Sequence, residues 1–181
     1  ISGGRVYTSK TGPIYILDDS PFNDSTILWR SVNEGETWTR MTKDLPKPTN
    51  SSFLSVTSAG MLIISEPQST RLFFSTDNGD SWAERSTLPF KFRNSVSIQA
   101  ASNGYLFYND ASPDSVSGGY GYTIRSKDNG KTWDSVSAQF NIIITSNDMV
   151  CGISDGYLKY STDYGSSWQY SPVPDANALG F

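Results

Sequence analysis

The sequence predicts an all-β fold, a β-propeller of four-stranded antiparallel blades, and three observations predict it. The first is an eight-residue pattern, Ser-x-(Asp/Asn)-x-Gly-x-(Ser/Thr)-Trp, that recurs in register at Ser31 to Trp38, Ser75 to Trp82, Ser126 to Trp133 and Ser161 to Trp168. The second is spacing. The Trp-to-Trp intervals are 44, 51 and 35 residues, close to the ~40–50 residues of one four-stranded blade. The third is composition: 15 Gly, 9 Pro and only 18% charged residues suit a turn-rich β protein and leave little material for long amphipathic helices.

Each repeat divides into four strands, A to D. An apolar run, consistent with a strand buried on both faces, supplies strand B at Ile14 to Leu17, Met61 to Ile64, Tyr105 to Tyr108 and Met149 to Ile153. A turn signal precedes each run (Ser9 to Gly12, Thr57 to Gly60, Ala101 to Gly104, Thr145 to Asp148), and a β-rich segment before that turn supplies strand A. Strand C is the short run before each pattern: Ile27 to Trp29, Leu72 to Phe74, Tyr122 to Ile124 and Tyr157 to Tyr160. Strand D follows the Trp. The blades are expected at 3–46, 50–90, 94–138 and 140–174 within one domain, 1–181.

The chemistry of the pattern explains its spacing without catalysis. A carboxylate or amide oxygen at Asn33, Asp77, Asp128 and Asp163 can accept backbone N–H bonds in the C–D turn. Gly35, Gly79, Gly130 and Gly165 supply a positive φ, and Trp38, Trp82, Trp133 and Trp168 pack inward. These residues resemble the Asp-box (BNR) repeat of sialidases, sortilin-type receptors, photosystem assembly factors and xyloglucan-degrading enzymes, over nearly the whole chain. The resemblance implies a propeller with its boxes at the blade periphery, away from the axial site, so only their structural role is carried over. Four such blades either close as a four-bladed ring or belong to a larger one. The even repeat count leans toward closure or self-assembly. The tail from Asn177 and a start at Ile1 rather than Met point toward a processed or partial chain, with any upstream targeting segment out of view.

Sialidase chemistry would require, by the same resemblance, an arginine cluster, a Tyr nucleophile with a Glu partner, an Asp acid/base and a Phe/Tyr-Arg-Ile-Pro segment. Phe92-Arg93-Asn94 departs from that segment after two residues. The seven Arg occupy dissimilar positions, and two of the four Glu (Glu34, Glu36, Glu66, Glu84) lie inside a box, so sialidase activity is not expected. A two-carboxylate, xyloglucanase-like glycoside hydrolase is the enzymatic alternative, with Asp19 or Asp24 paired with Asp110 or Asp114.

Net charge is −4 with Lys and Arg scattered, which sets nucleic acid aside, because a binder needs a basic stripe against phosphate. There is no His, and the single Cys151 sits in an apolar run, so it is expected in the core rather than in a disulfide or metal site. Asp18, Asp19 and Asp24 carry hard oxygens of the kind that bind Ca²⁺, but their spacing fits no known calcium loop and surface charge is the expected role. No cofactor is expected. No apolar window is long enough to span a bilayer. The acceptor triplets at Asn23 and Asn50, with the lone thiol, suggest an extracellular, cell-surface or periplasmic protein.

Loop length locates the expected binding face. The A–B and C–D turns are short in every repeat, whereas B–C connections are long in blades one and three, and the D–A connections join the same end. Variable loops on a regular scaffold are where binding resides. Tyr108, Asp110, Asp114, Tyr120, Tyr122, Phe22, Lys91 and Arg93, with Phe90 nearby, offer rings for stacking and polar tips for orientation. The expected function is noncatalytic binding of a glycan or protein through this face. The remaining alternative is a structural subunit whose blade edges pair with other chains.

Overall fold

The structure is a computed structural model; it describes residues 4–8, 12–18, 27–41, 45, 53–65, 69–88, 98–110, 122–136, 140 and 142–173. Sixteen strands among these residues form four antiparallel sheets, one to each repeat. Blade one holds β1 (Gly4–Thr8), β2 (Ile14–Asp18), β3 (Ile27–Ser31) and β4 (Thr39–Met41). Blade two holds β5 (Phe53–Val56), β6 (Leu62–Ser65), β7 (Arg71–Ser75) and β8 (Ala83–Thr87). Blade three holds β9 (Gln99–Ala100), β10 (Leu106–Asp110), β11 (Tyr122–Ser126) and β12 (Asp134–Val136), and blade four β13 (Ile143–Ile144), β14 (Val150–Ser154), β15 (Tyr157–Ser161) and β16 (Gln169–Pro172). Strand order follows chain order in every sheet, so each blade is an up-and-down meander.

Register is equivalent in all four. The serine that opens each eight-residue pattern pairs with the first residue of strand B: Ser31 with Ile14, Ser75 with Leu62, Ser126 with Leu106 and Ser161 with Val150. Because side chains alternate with period two, this shared register fixes which residues face the next blade. From blade one, Tyr15, Leu17, Leu28 and Met41 pack on Leu54, Leu62, Ile64 and Phe73 of blade two. The opposite face of blade two, with Ile63, Leu72, Phe74 and Leu88, packs on Ile98, Leu106, Tyr108 and Ile124 of blade three. Ala101, Phe107 and Val136 then meet Phe140, Ile142 and Val150 of blade four. The core is therefore three sandwiched interfaces, and a middle blade is buried on both faces, which is why β6 reads as an unbroken apolar run.

The A–B turns of blades two, three and four share one hydrogen-bond scheme. Gly60 N–H donates to the Thr57 carbonyl at 3.0 Å and Thr57 N–H to the Met61 carbonyl at 2.9 Å, and the pair recurs at Ala101/Gly104 and Thr145/Asp148. Between the inner strands of blades three and four, the Gln99 side chain stands in for a strand partner. Its Nε2 donates to the Ile142 carbonyl (2.8 Å) and its Oε1 accepts from the Ile144 N–H (2.9 Å).

Among the described residues no buried core cluster joins blade four to blade one. On the outward face of blade one, Val6 is 64% exposed; on that of blade four, Ile143 and Ile153 are 59% and 64% exposed. The closure toward which the repeat count leaned is not observed among the described residues, because the apolar groups that would seal a fourth interface face solvent instead.

Candidate functional site

Each eight-residue pattern builds one compact hydrogen-bonded turn. In the second, the buried Ser75 hydroxyl donates to Asp77 Oδ1 (2.8 Å) and accepts the Gly79 N–H (2.8 Å). Asp77 Oδ1 also accepts the Ser81 N–H (2.9 Å), while Oδ2 accepts the Ser81 hydroxyl (2.6 Å). The third and fourth turns repeat these four bonds with Ser126, Asp128, Gly130 and Thr132, and with Ser161, Asp163, Gly165 and Ser167. In the first turn Asn33 keeps the Oδ1 bonds to Ser31 and Thr37 N–H, and its Nδ2 donates to Thr37 Oγ1 at 2.9 Å. The hydroxyl can accept as well as donate, so the amide fits where the carboxylate sits elsewhere.

Two features of these turns exceed the sequence reading. The opening serine, recurring in all four copies, is an organiser and not a spacer. The residue before each glycine also adopts a positive φ, between 56° and 58° at Glu34, Asn78, Asn129 and Tyr164, so two consecutive left-handed residues make the turn. Trp38 and Trp82 close it by donating Nε1–H to the Gly35 and Gly79 carbonyls at 3.0 and 3.2 Å.

The carboxylates in these turns are committed to the fold. Asp77 and Asp128 are lowered to about 2, chiefly by side-chain hydrogen bonds from Ser81 and Thr132 that require the ionised form, and Asp163 is lowered further by Ser167. Outside the turns, Glu84 is lowered by its hydrogen bond with Arg71, Asp134 by that with Arg125, and Asp155 by the Ser154 hydroxyl and Lys159.

The turns also receive the neighbouring blade. Arg30, Phe74, Arg125 and Tyr160 occupy one register position, opposite Tyr15, Ile63, Phe107 and Cys151. Arg30 Nη1 donates to the Asn78 carbonyl (2.9 Å) and to Asp80 Oδ1 (3.0 Å) in the turn of blade two. Arg125, 7% exposed in its side chain, donates to the Tyr164 carbonyl (2.5 Å) in the turn of blade four while its Nη2 holds Asp134 at 2.7 Å. Phe74 lies against Gly130 of blade three. Beside these contacts Ser102 of one A–B turn donates from N–H and hydroxyl to the Asp148 carboxylate of the next.

Two cavities open at this end of the blades. One, about 230 Å³, lies between blades two and three and is lined by Thr57, Met61, Thr76, Arg85, Ser102 and Asn129 among others; a smaller one, about 160 Å³, lies between blades one and two against Tyr15, Val56 and Asn78. They stand at the end opposite the one expected to bind.

Of the residues expected at the binding face, Tyr108 is 2% exposed and packs in the interface of blades two and three. It lies on the same side of β10 as Leu106, and alternation carries both into the core. Asp110 and Tyr122 pair at the ends of β10 and β11 where the long blade-three loop departs. Asp114, Tyr120, Phe22, Phe90, Lys91 and Arg93 lie outside the described residues, as do Asp19 and Asp24. Asp18 is buried at the end of β2. Among the described residues no three acidic or Cys side chains converge as metal ligands. Cys151 is a buried free thiol, its pKa raised by desolvation.

Repeated four-stranded meanders joined face to face, each with its hydrogen-bonded Asp box at the C–D turn, define an Asp-box β-propeller. The sortilin–Vps10 family pattern, described as sortilin, neurotensin receptor 3, matches residues 26–148, about two thirds of the chain. The protein belongs to the sortilin–Vps10 family. No curated protein sequence matches it. Similar solved structures include the GH74 enzyme of Niastella koreensis (18% identity, TM-score 0.63, 93% of this chain and 24% of that one). Others are a catalytically inactive virginiamycin B lyase from Staphylococcus aureus with quinupristin (17%, 0.62, 98% and 59%) and YCF48 bound to D1 peptide (17%, 0.61, 96% and 55%). The chain thus spans between a quarter and three fifths of these proteins' lengths, and they share its fold.

Proposed function

We propose that this protein is a noncatalytic binding module that takes a peptide or protein ligand on the loops of its B–C and D–A end, outside the cell or at its surface. Membership in a family described by a receptor, sortilin, neurotensin receptor 3, carries this reading. The structural neighbour bound to D1 peptide supports the choice of peptide over glycan. The architecture agrees: the box end is consumed by bonds within and between blades, which leaves the opposite end free to vary.

Glycoside hydrolysis is the second reading, favoured by the GH74 neighbour. It requires a carboxyl with a raised pKa as general acid, and its candidates Asp19, Asp24 and Asp114 lie outside the described residues. The test is a peptide-display screen of the intact chain, run beside a glycan array and a reducing-sugar assay on xyloglucan. The expected result is a peptide ligand whose affinity falls at least tenfold in Tyr120→Ala, Lys91→Ala or Arg93→Ala and is unchanged in Asp128→Asn. Release of reducing sugar, or a ligand insensitive to all three loop substitutions, would overturn the proposal.

A further inference from the structure

The interface of blades two and three is built differently from the interfaces on either side of it. Three residues after the Trp of the box, blades one and three place Met41 and Val136, both buried, against the box glycine of the next blade. A Cβ on Gly79 would lie 3.6 Å from Met41, and one on Gly165 would lie 2.8 Å from Val136 Cγ1. Strand C of the same two blades supplies an arginine, Arg30 or Arg125, which donates to the carbonyl just before that glycine, at Asn78 or Tyr164. Blade two exchanges the two side chains. Phe74 of β7 covers Gly130, and the residue three places after Trp82 is Arg85 on β8.

The exchange leaves Arg85 without the bonds that occupy the other two arginines. Leu72 pairs with Ser86 and Phe73 with Glu84, so Arg85 is the extra residue of a bulge, whereas strand D of the other blades pairs in unbroken register. Bulges re-aim a side chain. Here the guanidinium lies 5.7 Å from the centre of the Phe74 ring, and the side chain lines the cavity of about 230 Å³ between blades two and three. Arg30 holds Asp80 and Arg125 holds Asp134, but among the described residues Arg85 makes no hydrogen bond or ion pair. The box position of Asp80 is taken in blade three by Lys131, so the turn across the interface offers a second cation in place of an acid. Arg85 is the one charged side chain lining the cavity among the described residues. Beside it stand the Thr76 hydroxyl and Asn129, and Met61, Ala101 and Leu106 form an apolar wall.

We infer that this cavity is a binding site for a small organic carboxylate, whose carboxylate pairs with Arg85 and whose apolar body lies on Met61, Ala101 and Leu106. The guanidinium fork matches a carboxylate with two parallel N–H bonds, a geometry that an uncharged hydroxyl or amide does not return. The apolar wall offers nothing to an inorganic anion, which favours an organic acid over phosphate. Size agrees with a body of a few carbons, because the cavity is smaller than the ~300–1,000 Å³ of sites for drug-sized molecules. The site is independent of the peptide ligand proposed above, since it lies at the box end and uses none of the B–C and D–A loops.

The experiment is a titration of the isotope-labelled intact chain with butanoate and with benzoate, followed by amide chemical shifts, with butanamide, benzamide and inorganic phosphate as controls. Both acids are expected to give saturable shifts centred on Thr76, Arg85, Ser102 and Gly104, and the two amides none. Arg85→Met installs the residue that blade one carries at this position; it is expected to fold, which a melting curve verifies, and to weaken both acids about tenfold or more. Arg85→Gln, which keeps a polar side chain in the bulge, is expected to lose as much. Arg71→Met removes an exposed arginine already paired with Glu84 and is expected to leave the affinities unchanged. Affinities that survive both Arg85 substitutions overturn the inference, as does the absence of any saturable shift at the highest soluble concentration. Amides that bind as well as the acids, or phosphate that binds as well as benzoate, overturn the assignment of an organic carboxylate. Equal weakening by Arg71→Met also overturns it, since the acids would then be collecting on surface cations at large.

Discussion

Replacing Gly130 with alanine tests whether the Asp box is a receptor for the neighbouring blade or only a local turn. Gly130 has φ +82°, a conformation that costs an L-residue about 1–2 kcal/mol. Its new Cβ would also sit 2.9 Å from Phe74 Cε1 and closer still to Cζ, inside the packed ring of the preceding blade. Phe74 is buried among Ile63, Leu72 and Leu106, so it cannot swing away freely. Overpacking of this kind costs about 1–3 kcal/mol. The sum is about 2–5 kcal/mol. Gly35→Ala carries the same backbone cost at φ +94° but meets no neighbouring blade, so it isolates the first contribution at about 1–2 kcal/mol. Urea unfolding followed by tryptophan fluorescence reads both, provided the slopes match the parent's. The expected gap is about 1–3 kcal/mol, and it should shrink when Phe74→Leu is combined with Gly130→Ala. Equal losses at Gly35 and Gly130 would refute the argument, since the turn would then be indifferent to what lies across it.

Acid should weaken the boxes selectively. Asp77 and Asp128 fall from 3.8 to about 2 on folding, so the folded state binds fewer protons; this stability is complete above 3.8 and is lost as pH falls toward 2. Converting Asp77, Asp128 and Asp163 to Asn, the residue already working at position 33, should flatten the fall in melting temperature over that window. Arg125→Met keeps the packed stem but strands the Tyr164 carbonyl and is expected to cost about 1.5–3 kcal/mol in urea, whereas Arg71→Met, at an exposed pair, should change little. Gln99→Ala removes two neutral hydrogen bonds and should cost about 1–2 kcal/mol, with faster amide exchange at Ile144. Cys151, buried with a raised pKa, should resist thiol reagents until the chain unfolds.

Local chemistry was legible in the sequence and distant chemistry was not. The bonds from Asp77 to Ser81 span four residues, so their spacing is printed in the chain. The opening serine repeats with the box, but nothing in its spacing alone marks its hydroxyl as the acceptor of the Gly79 N–H. Arg30 reaches Asn78 across 48 residues and Arg125 reaches Tyr164 across 39, and neither pairing has a local pattern. One signal existed: a large side chain precedes the serine in all four copies (Arg30, Phe74, Arg125, Tyr160), which a surface position would not demand. Tyr108 shows the reverse hazard. Its neighbours Asn109 and Asp110 suggest a loop, but counting by twos from Leu106 puts it in the core.

The two ends of each blade obey different constraints, and that difference explains how a repeat of fixed chemistry tolerates spacings from 35 to 51 residues. At the box end, the C–D turn must present a carbonyl and a bare glycine to the preceding blade while its own serine and aspartate hold it rigid. An insertion there would break an intrablade turn and an interblade latch together. At the other end the B–C connections differ in length from blade to blade. Blade four closes its B–C connection with Asp155-Gly156, both at positive φ (55° and 77°), the two-residue turn that matches strand twist. Blade three, in the same register, spends the eleven residues between Asp110 and Tyr122 on that connection. The strands beneath are equivalent, so the added length is accommodated without cost to the core. Selection for a ligand can act at that end while the box end holds the array together.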